Sequence, residues 1–206
     1  MKILSFKRIE KKYLINQSQY EELLKGIRGH MKLDPYCENN KTYKIQNIYY
    51  DTINNTLISN SINKPIYKEK LRVRKYYEAD SYFIELKKKA CGVVGKRRVV
   101  VNKEELDSFF RGDNLDHITD YESRMAIKEI KYLMKRYELM PKVYLSYDRL
   151  GFFDLEDPTL RLTLDNNIHS RRSNLSFKTD ESTIDVIKKD EYLSLIHISE
   201  PTRRRG

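Results

Sequence analysis

The segment Ile66-Tyr67-Lys68-Glu69-Lys70-Leu71-Arg72-Val73-Arg74-Lys75-Tyr76-Tyr77 decides the reading of this chain. Side chains alternate between the two faces of a β-strand. Lys68, Lys70, Arg72 and Arg74 therefore share one face, and Tyr67, Glu69, Leu71 and Val73 share the other. Two further strand patterns follow. Residues 81–88, SYFIELKK, place Phe83, Glu85 and Lys87 together. Residues 96–101, KRRVVV, place Lys96 and Arg98 on one side, and the Gly92–Gly95 stretch between them reads as a hairpin turn. Three consecutive strands thus each carry a polar face rich in cations.

Working outward, residues 6–15 read as a strand with Phe6, Arg8, Glu10, Lys12 and Leu14 on one face, and residues 43–51 as another. Ser18-Gln19-Tyr20-Glu21 has the form of a capping box, with Tyr20, Leu23, Leu24 and Ile27 at helical spacing and Gly29 as a stop. Asn102 is placed to cap a helix carrying Leu106, Phe109 and Phe110, with Gly112 at its end. Residues 121–139 form the longest helical pattern, with Ala126, Ile130, Leu133, Met134 and Tyr137 as its stripe and Pro141 beyond it. Residues 142–150 read as a strand that places Leu145, Tyr147 and Arg149 together. In residues 160–165, Arg161, Thr163 and Asp165 face one way. Many strands without βαβ alternation, plus three helices, predict an antiparallel α+β domain.

Composition narrows the class. The 206 residues are 39% hydrophobic and 34% charged, with 16 Tyr and 7 Phe, which suits a folded core rather than a disordered tail. No apolar run approaches the ~20 residues of a membrane-spanning helix, and the start, MKILSFKRIEKKY, lacks the apolar centre of a signal peptide. Cys37 and Cys91 stand far apart and offer neither a disulfide framework nor zinc-ligand spacing. A cytoplasmic location is the expectation. The four His are scattered, and no Ser-His-Asp or Cys-His set is evident. Lys96 after the Gly92–Gly95 stretch faintly resembles a P-loop, but the spacing is short and no Ser or Thr follows the Lys.

The net charge of +10 is local. Residues 67–103 carry a surplus of eight positive charges, and the last thirteen residues a surplus of two, so the rest of the chain is neutral. A local surplus calls for a local anion, and phosphate is the commonest. Two sheet arrangements fit the alternation. The apolar face packs on helices with the basic face in solvent, or the sheet closes with the charges inside. Many like charges inside a barrel need a bound anion such as a triphosphate. Glu10 and Glu85, set among the cations, suit a hard divalent ion, Mg²⁺ or Mn²⁺. The plainer alternative is that they pair with neighbouring Lys or Arg across the sheet.

Arg8-x-Glu10-x-Lys12-Tyr13 resembles the ExExK signature of the CYTH, or triphosphate tunnel metalloenzyme, superfamily, with Arg in place of the first Glu. That substitution resembles the VTC branch, the polyphosphate polymerase domain and its bacterial relatives. The segments Asn47-Ile48-Tyr49-Tyr50-Asp51, Leu71-Arg72-Val73-Arg74, Ile84-Glu85-Leu86-Lys87, Gly95-Lys96-Arg97-Arg98, Tyr147-Asp148-Arg149 and Leu160-Arg161-Leu162-Thr163-Leu164-Asp165 are similar too, in family order. The resemblance implies an antiparallel β-tunnel flanked by helices. Arg8, Lys12, Arg72, Arg74, Lys87, Lys96, Arg149 and Arg161 would bind the triphosphate of ATP or a polyphosphate chain, all but Arg8 with a catalytic part. Glu10 matches a carboxylate of the superfamily's metal site, and Glu85 is a second metal candidate. The implied activity is transfer of the γ-phosphoryl of ATP to a polyphosphate end, with Mn²⁺ or Mg²⁺.

Residues 1–193 are expected to form the VTC-like domain. The run from Ser194, SLIHISEPTRRRG, resembles translated sequencing-adapter read-through. Residues 194–206 are therefore expected to be a non-native tail standing where the closing strands, with a metal-binding Glu and a Lys, would follow. Glu200 is not taken as that Glu. A CYTH-type triphosphatase or adenylate cyclase, or a non-catalytic module binding polyphosphate or inositol phosphates, are the alternatives. Nucleic acid is not expected. Tyr76, Tyr77 and Tyr82 lie beside the basic strand, but much of the Tyr supply lies elsewhere and looks like packing.

Overall fold

The computed structural model describes residues 8–37, 41–63, 66–77, 79–91, 93–157, 159–178 and 182–199. Phe6, Gly92, Glu200, residues 201–206 and the side chain of Arg8 lie outside the described residues. The chain divides into two compact units, neither of them one continuous stretch. The first comprises Met1–Lys44, Ser146–His169 and Thr183–Gly206; the second comprises Ile45–Leu145 and Ser170–Ser182.

The first unit begins with strand β1 (Arg8–Asn16) and helix α1 (Gln17–Ile27). Asn16, not Ser18, caps α1. Its side chain accepts from the Gln19 amide while the Gln19 side chain accepts from the Asn16 amide. Position Asn16 has an extended backbone, as a cap requires, and Ser18 already lies in the first helical turn. A short strand β2 (Met31–Leu33) follows. The unit also contains the later part of β7 (Met140–Asp154), most of β8 (Arg161–Arg171), β9 (Ile184–Asp185) and β10 (Glu191–Ser199). β10 pairs antiparallel with β1, from Arg8 opposite Ser199 to Asn16 opposite Glu191, and with β8, from Leu193 opposite Asp165 to His197 opposite Arg161. Cys37, Leu150, Phe152, Leu162 and Leu164 form the core, with Tyr20, Leu23, Leu24 and Ile27 of α1 packed on it.

In the second unit β3 (Tyr43–Asp51), β4 (Tyr67–Tyr76), β5 (Tyr82–Ala90) and β6 (Val93–Val101) form consecutive antiparallel pairs. The β5–β6 turn is tighter than the Gly pattern predicts. Cys91 takes the left-handed conformation at φ 48°, and Gly95 lies inside β6. Leu71, Val73, Ile84, Leu86, Val99 and Val101 point from the sheet into one core with Leu106 and Phe109 of α3 (Lys103–Arg111) and Ala126, Ile130 and Leu133 of α4 (Tyr121–Tyr137). Asn102 caps α3 as predicted, and Gly112 ends it at φ 100°. α4 stops at Tyr137, three residues before β7 begins, with Glu138 at φ 48°. The sequence reading omits a fourth helix, α2 (Thr56–Ile62). Its start is organised by Asp51, whose carboxylate accepts from the amides of Thr52, Leu57 and Ile58. At the end of β8, buried Arg171 gathers its own following loop. Its guanidinium donates to the carbonyls of Asn174, Ser176 and Lys178 and lies 3.8 Å from the Tyr144 ring centre.

The pairs β1–β10, β10–β8, β2–β7, β3–β4, β4–β5 and β5–β6 are antiparallel, and the class is α+β, as expected. Among the described residues β1 pairs only with β10, and β6 only with β5. No helix among them is long and apolar enough to cross a membrane.

Candidate functional site

The apolar residues of β4, β5 and β6 are drawn to the helices by burial, so the intervening residues are left on the opposite face. Register fixes them in rows. Tyr49, Arg72, Glu85 and Arg98 stand side by side on β3, β4, β5 and β6. Next to them Lys70, Lys87 and Lys96 align, and on the other side Asn47, Arg74, Phe83 and Val100. The sequence-predicted Arg72, Arg74, Lys87, Lys96 and Glu85 are thus brought to one face of the second unit.

Glu85 is the centre of this face and is only 2% exposed. Arg72 donates from Nε (2.7 Å) and Nη2 (2.6 Å) to Oε2. Arg98 donates from Nε (2.7 Å) and Nη2 to Oε1, and Lys96 Nζ lies 2.9 Å from the same oxygen. The third Arg72 nitrogen, Nη1, donates to the Tyr49 hydroxyl at 3.1 Å. Arg74 is buried, with its Nε donating to Asn47 Oδ1 at 3.0 Å. Burial alone would raise the Glu85 pKa, but Arg72 foremost, then Arg74 and Lys96, hold it well below the carboxylate range. Desolvation lowers the Lys96 pKa, with Arg98 and Arg72 adding to it and Glu85 opposing. At Tyr49 burial works upward, and Arg72, then Arg74 and Lys70, bring the phenol below its ordinary value. A cavity of about 350 Å³ is lined by Lys96, Arg97, Arg98 and Glu122. Arg97 itself belongs to the other face, where it and Lys88 pair with Glu129 of α4.

The remaining candidates belong to the first unit. Lys12 Nζ lies 3.0 Å from Glu10, and His197 Nδ1 lies 3.6 Å from the other Glu10 oxygen. Arg149 grips buried Asp165 with two parallel bonds, Nε to Oδ1 at 2.6 Å and Nη2 to Oδ2 at 2.7 Å. Burial would lower the Arg149 pKa, but the hydrogen bonds to Asp165 outweigh it and hold the guanidinium charged. Arg161 pairs with buried Asp34 and lies over the Phe153 ring at 4.8 Å. Its Nε, like the hydroxyl of nearby Thr163, is buried and has no hydrogen-bond partner among the described residues.

The metal candidates divide differently from the sequence expectation. A carboxylate has about four lone-pair positions, and Glu85 spends its two oxygens on five donor hydrogens from three cations. Three adjacent positive charges also repel a divalent ion. Glu85 fits a counter-ion and does not fit a metal ligand. Glu10 is a single exposed carboxylate with an ammonium group on it. Among the described residues no three His, Cys, Asp or Glu side chains cluster to hold a metal ion. The plainer sequence alternative, cross-strand pairing, describes Glu85.

Arg98 is the main residue missing from the sequence set. Alternation places it beside Lys96, which was signal enough. Asp34, the partner of Arg161, gave no signal, because a separation of 127 residues leaves no local pattern.

The sequence matches the VTC domain family over residues 7–198. The chain belongs to the VTC domain family. No curated protein matches it. Among solved structures, a candidate adenylate cyclase from Bacillus halodurans shares 17% identity, covers 92% of this chain and 79% of that one, and superposes with a TM-score of 0.52. A candidate adenylyl cyclase from Hippeastrum, described as having a dominant triphosphatase activity, shares 17% identity over 95% of this chain and 80% of that one, with a TM-score of 0.51. At this identity the likeness is one of fold. It agrees with the CYTH fold expected of a VTC domain.

Proposed function

We propose that this VTC domain is an ATP-dependent polyphosphate polymerase. The observation that carries the reading is the face of β4, β5 and β6, where Lys70, Arg72, Arg74, Lys87, Lys96 and Arg98 gather around one carboxylate. Among the described residues of β4, β5 and β6, six cations share this face with one carboxylate, a balance that suits a polyanion. The arginines supply planar donor edges matched to phosphate oxygens, and the lysines supply compact charge. In the reaction a terminal polyphosphate oxygen attacks the γ-phosphorus of ATP, the bond from that phosphorus to the β–γ bridging oxygen breaks, and ADP leaves. Charge in this transition state spreads over the phosphoryl oxygens. Cations already fixed in a partly dry setting stabilise it without further reorganisation. Lys12, Arg149, Arg161 and Arg8, which belong to the first unit, are assigned phosphate contacts in the same reading. Among the described residues neither Glu85 nor Glu10 offers a metal-ligand set, so no step here is assigned to a metal. Triphosphate hydrolysis and cyclisation of ATP use the same charges, and product analysis separates the three.

The test is incubation with radiolabelled ATP, with Mn²⁺ and in parallel with EDTA, followed by gel resolution of products. A ladder of long polyphosphate is expected. Free phosphate alone means a triphosphatase, cyclic AMP a cyclase, and tight polyphosphate binding without turnover a binding module. Arg72→Glu with Arg74→Glu abolishes turnover in this reading; surviving activity overturns it.

A further inference from the structure

We propose that Glu85 is a positioning residue that organises Arg72, Arg98 and Lys96 into one phosphate-binding group, and that it is not a metal ligand. The inference rests on the polyanion reading above and deepens it. The three cations come from two strands, β4 and β6, that do not pair with one another; β5 lies between them. Adjacent strands are about 4.8 Å apart, so nothing in the backbone brings Arg72 and Arg98 together. Their mutual repulsion would drive long, flexible side chains apart into solvent. Glu85 sits at the one register position between them, and its two oxygens receive one guanidinium edge each.

Each arginine is gripped through the same two nitrogens, Nε and Nη2. That edge-on grip fixes the plane of the guanidinium, which a point contact would not. Further contacts then buttress the planes. Tyr49 takes Arg72 Nη1 at 3.1 Å, and Phe83 lies under Arg98 at 4.9 Å. Lys96 completes the set on Oε1. Three cations less one carboxylate leave a net charge of +2, so the group still attracts phosphate after its own assembly. The side-chain entropy of holding two arginines and a lysine is already lost before a ligand arrives, which is how preorganisation raises affinity.

The test measures tripolyphosphate binding by calorimetry in EDTA, with no metal present. Glu85→Gln keeps the side chain's size but supplies one acceptor oxygen where there were two. For a positioning residue, affinity falls at least tenfold. Adding Arg98→Ala to Glu85→Gln then costs much less than Arg98→Ala costs alone, because the two act as a unit. For a metal ligand, removing a negative charge leaves metal-free affinity unchanged or raises it, and that result overturns the proposal. Additive effects of the two substitutions overturn it as well. A second measurement uses the unsubstituted protein and holds even if Glu85→Gln does not fold. In the absence of phosphate, Mn²⁺ is expected to leave the Glu85 side-chain carboxyl ¹³C resonance sharp; selective broadening at low Mn²⁺ overturns the assignment. If the unsubstituted protein does not bind tripolyphosphate in EDTA at all, the phosphate-binding reading falls first and the proposal with it.

Discussion

Replacing Asp165 with Asn isolates the electrostatic part of one candidate contact. The two side chains have nearly the same volume, so the change removes a charge and one acceptor but little packing. Asp165 is 3% exposed, and the Arg149 side chain that grips it is 14% exposed. Both bonds, at 2.6 and 2.7 Å, are short and parallel. Breaking a buried pair from one side leaves the other charge uncompensated and costs about 3–5 kcal/mol. In a chain of this size 1 kcal/mol moves the midpoint by about 2–4 °C, so Asp165→Asn is expected to lower Tm by about 6–20 °C. Differential scanning calorimetry at low salt reads this directly. A second variant, Arg149→Met with Asp165→Leu, removes both charges together and is expected to recover most of the loss, because apolar side chains of similar size satisfy the site. A Tm change under 2 °C for Asp165→Asn, or a double variant no better than the single, refutes the claim that this pair is a buried, mutually dependent unit.

Acid is expected to act on the second unit through Glu85. Its folded pKa lies below the unfolded value of 4.5, so its stabilisation is present above that value and is lost as pH falls through the folded one. Urea midpoints between pH 6 and pH 3 should therefore fall more steeply in the unsubstituted protein than in Glu85→Gln. Ile130→Ala, at a fully buried position in the α4 core, should destabilise by about 2–5 kcal/mol in urea unfolding. Asn102→Ala removes the side-chain half of the α3 capping box, leaving the Glu105 carboxylate on the backbone amide of position 102, and should cost about 1 kcal/mol by the same assay. Arg171→Met should release the loop held by three carbonyl contacts, and limited proteolysis should then cut within residues 172–178 far faster than in the unsubstituted protein.

What was legible in the sequence was whatever repeats locally. The cations at alternate positions of residues 66–77 announced both a strand and its charged face, because every second residue must share an environment. The stripe of α4 and the Asn102 cap were legible for the same reason. α2 was not, since Thr56-Leu57-Ile58-Ser59-Asn60-Ser61-Ile62 has few good helix formers and its start depends on Asp51 reaching across to it. Ser18 and Asn16 both stand before the apolar run, and only the backbone at Asn16 decides between them. In the candidate site, sequence supplied the cations but not their partners. Register paired Glu85 with Arg72 and Arg98, and long-range folding paired Asp34 with Arg161; neither relation is written in spacing. The metal expectation at Glu85 had no access to these relations, since counting carboxylates does not reveal which cations lie on them.

The two-faced character of β5 also bears on how the protein reaches its fold. A slip of one residue against β4 or β6 exchanges the faces of a strand. Glu85 and Lys87 would then enter the space beside Leu106, Phe109 and Ile130, while Ile84 and Leu86 would be expelled among the arginines. Each expelled side chain forfeits about 1.5–3 kcal/mol of burial, and an unpaired carboxylate in the core costs more. The residues assigned to phosphate therefore double as a proofreading device during folding: they make the neighbouring misaligned hairpins too unstable to persist. Neutralising Lys87 to weaken anion binding would also weaken that check, and the symptom would be aggregation during refolding.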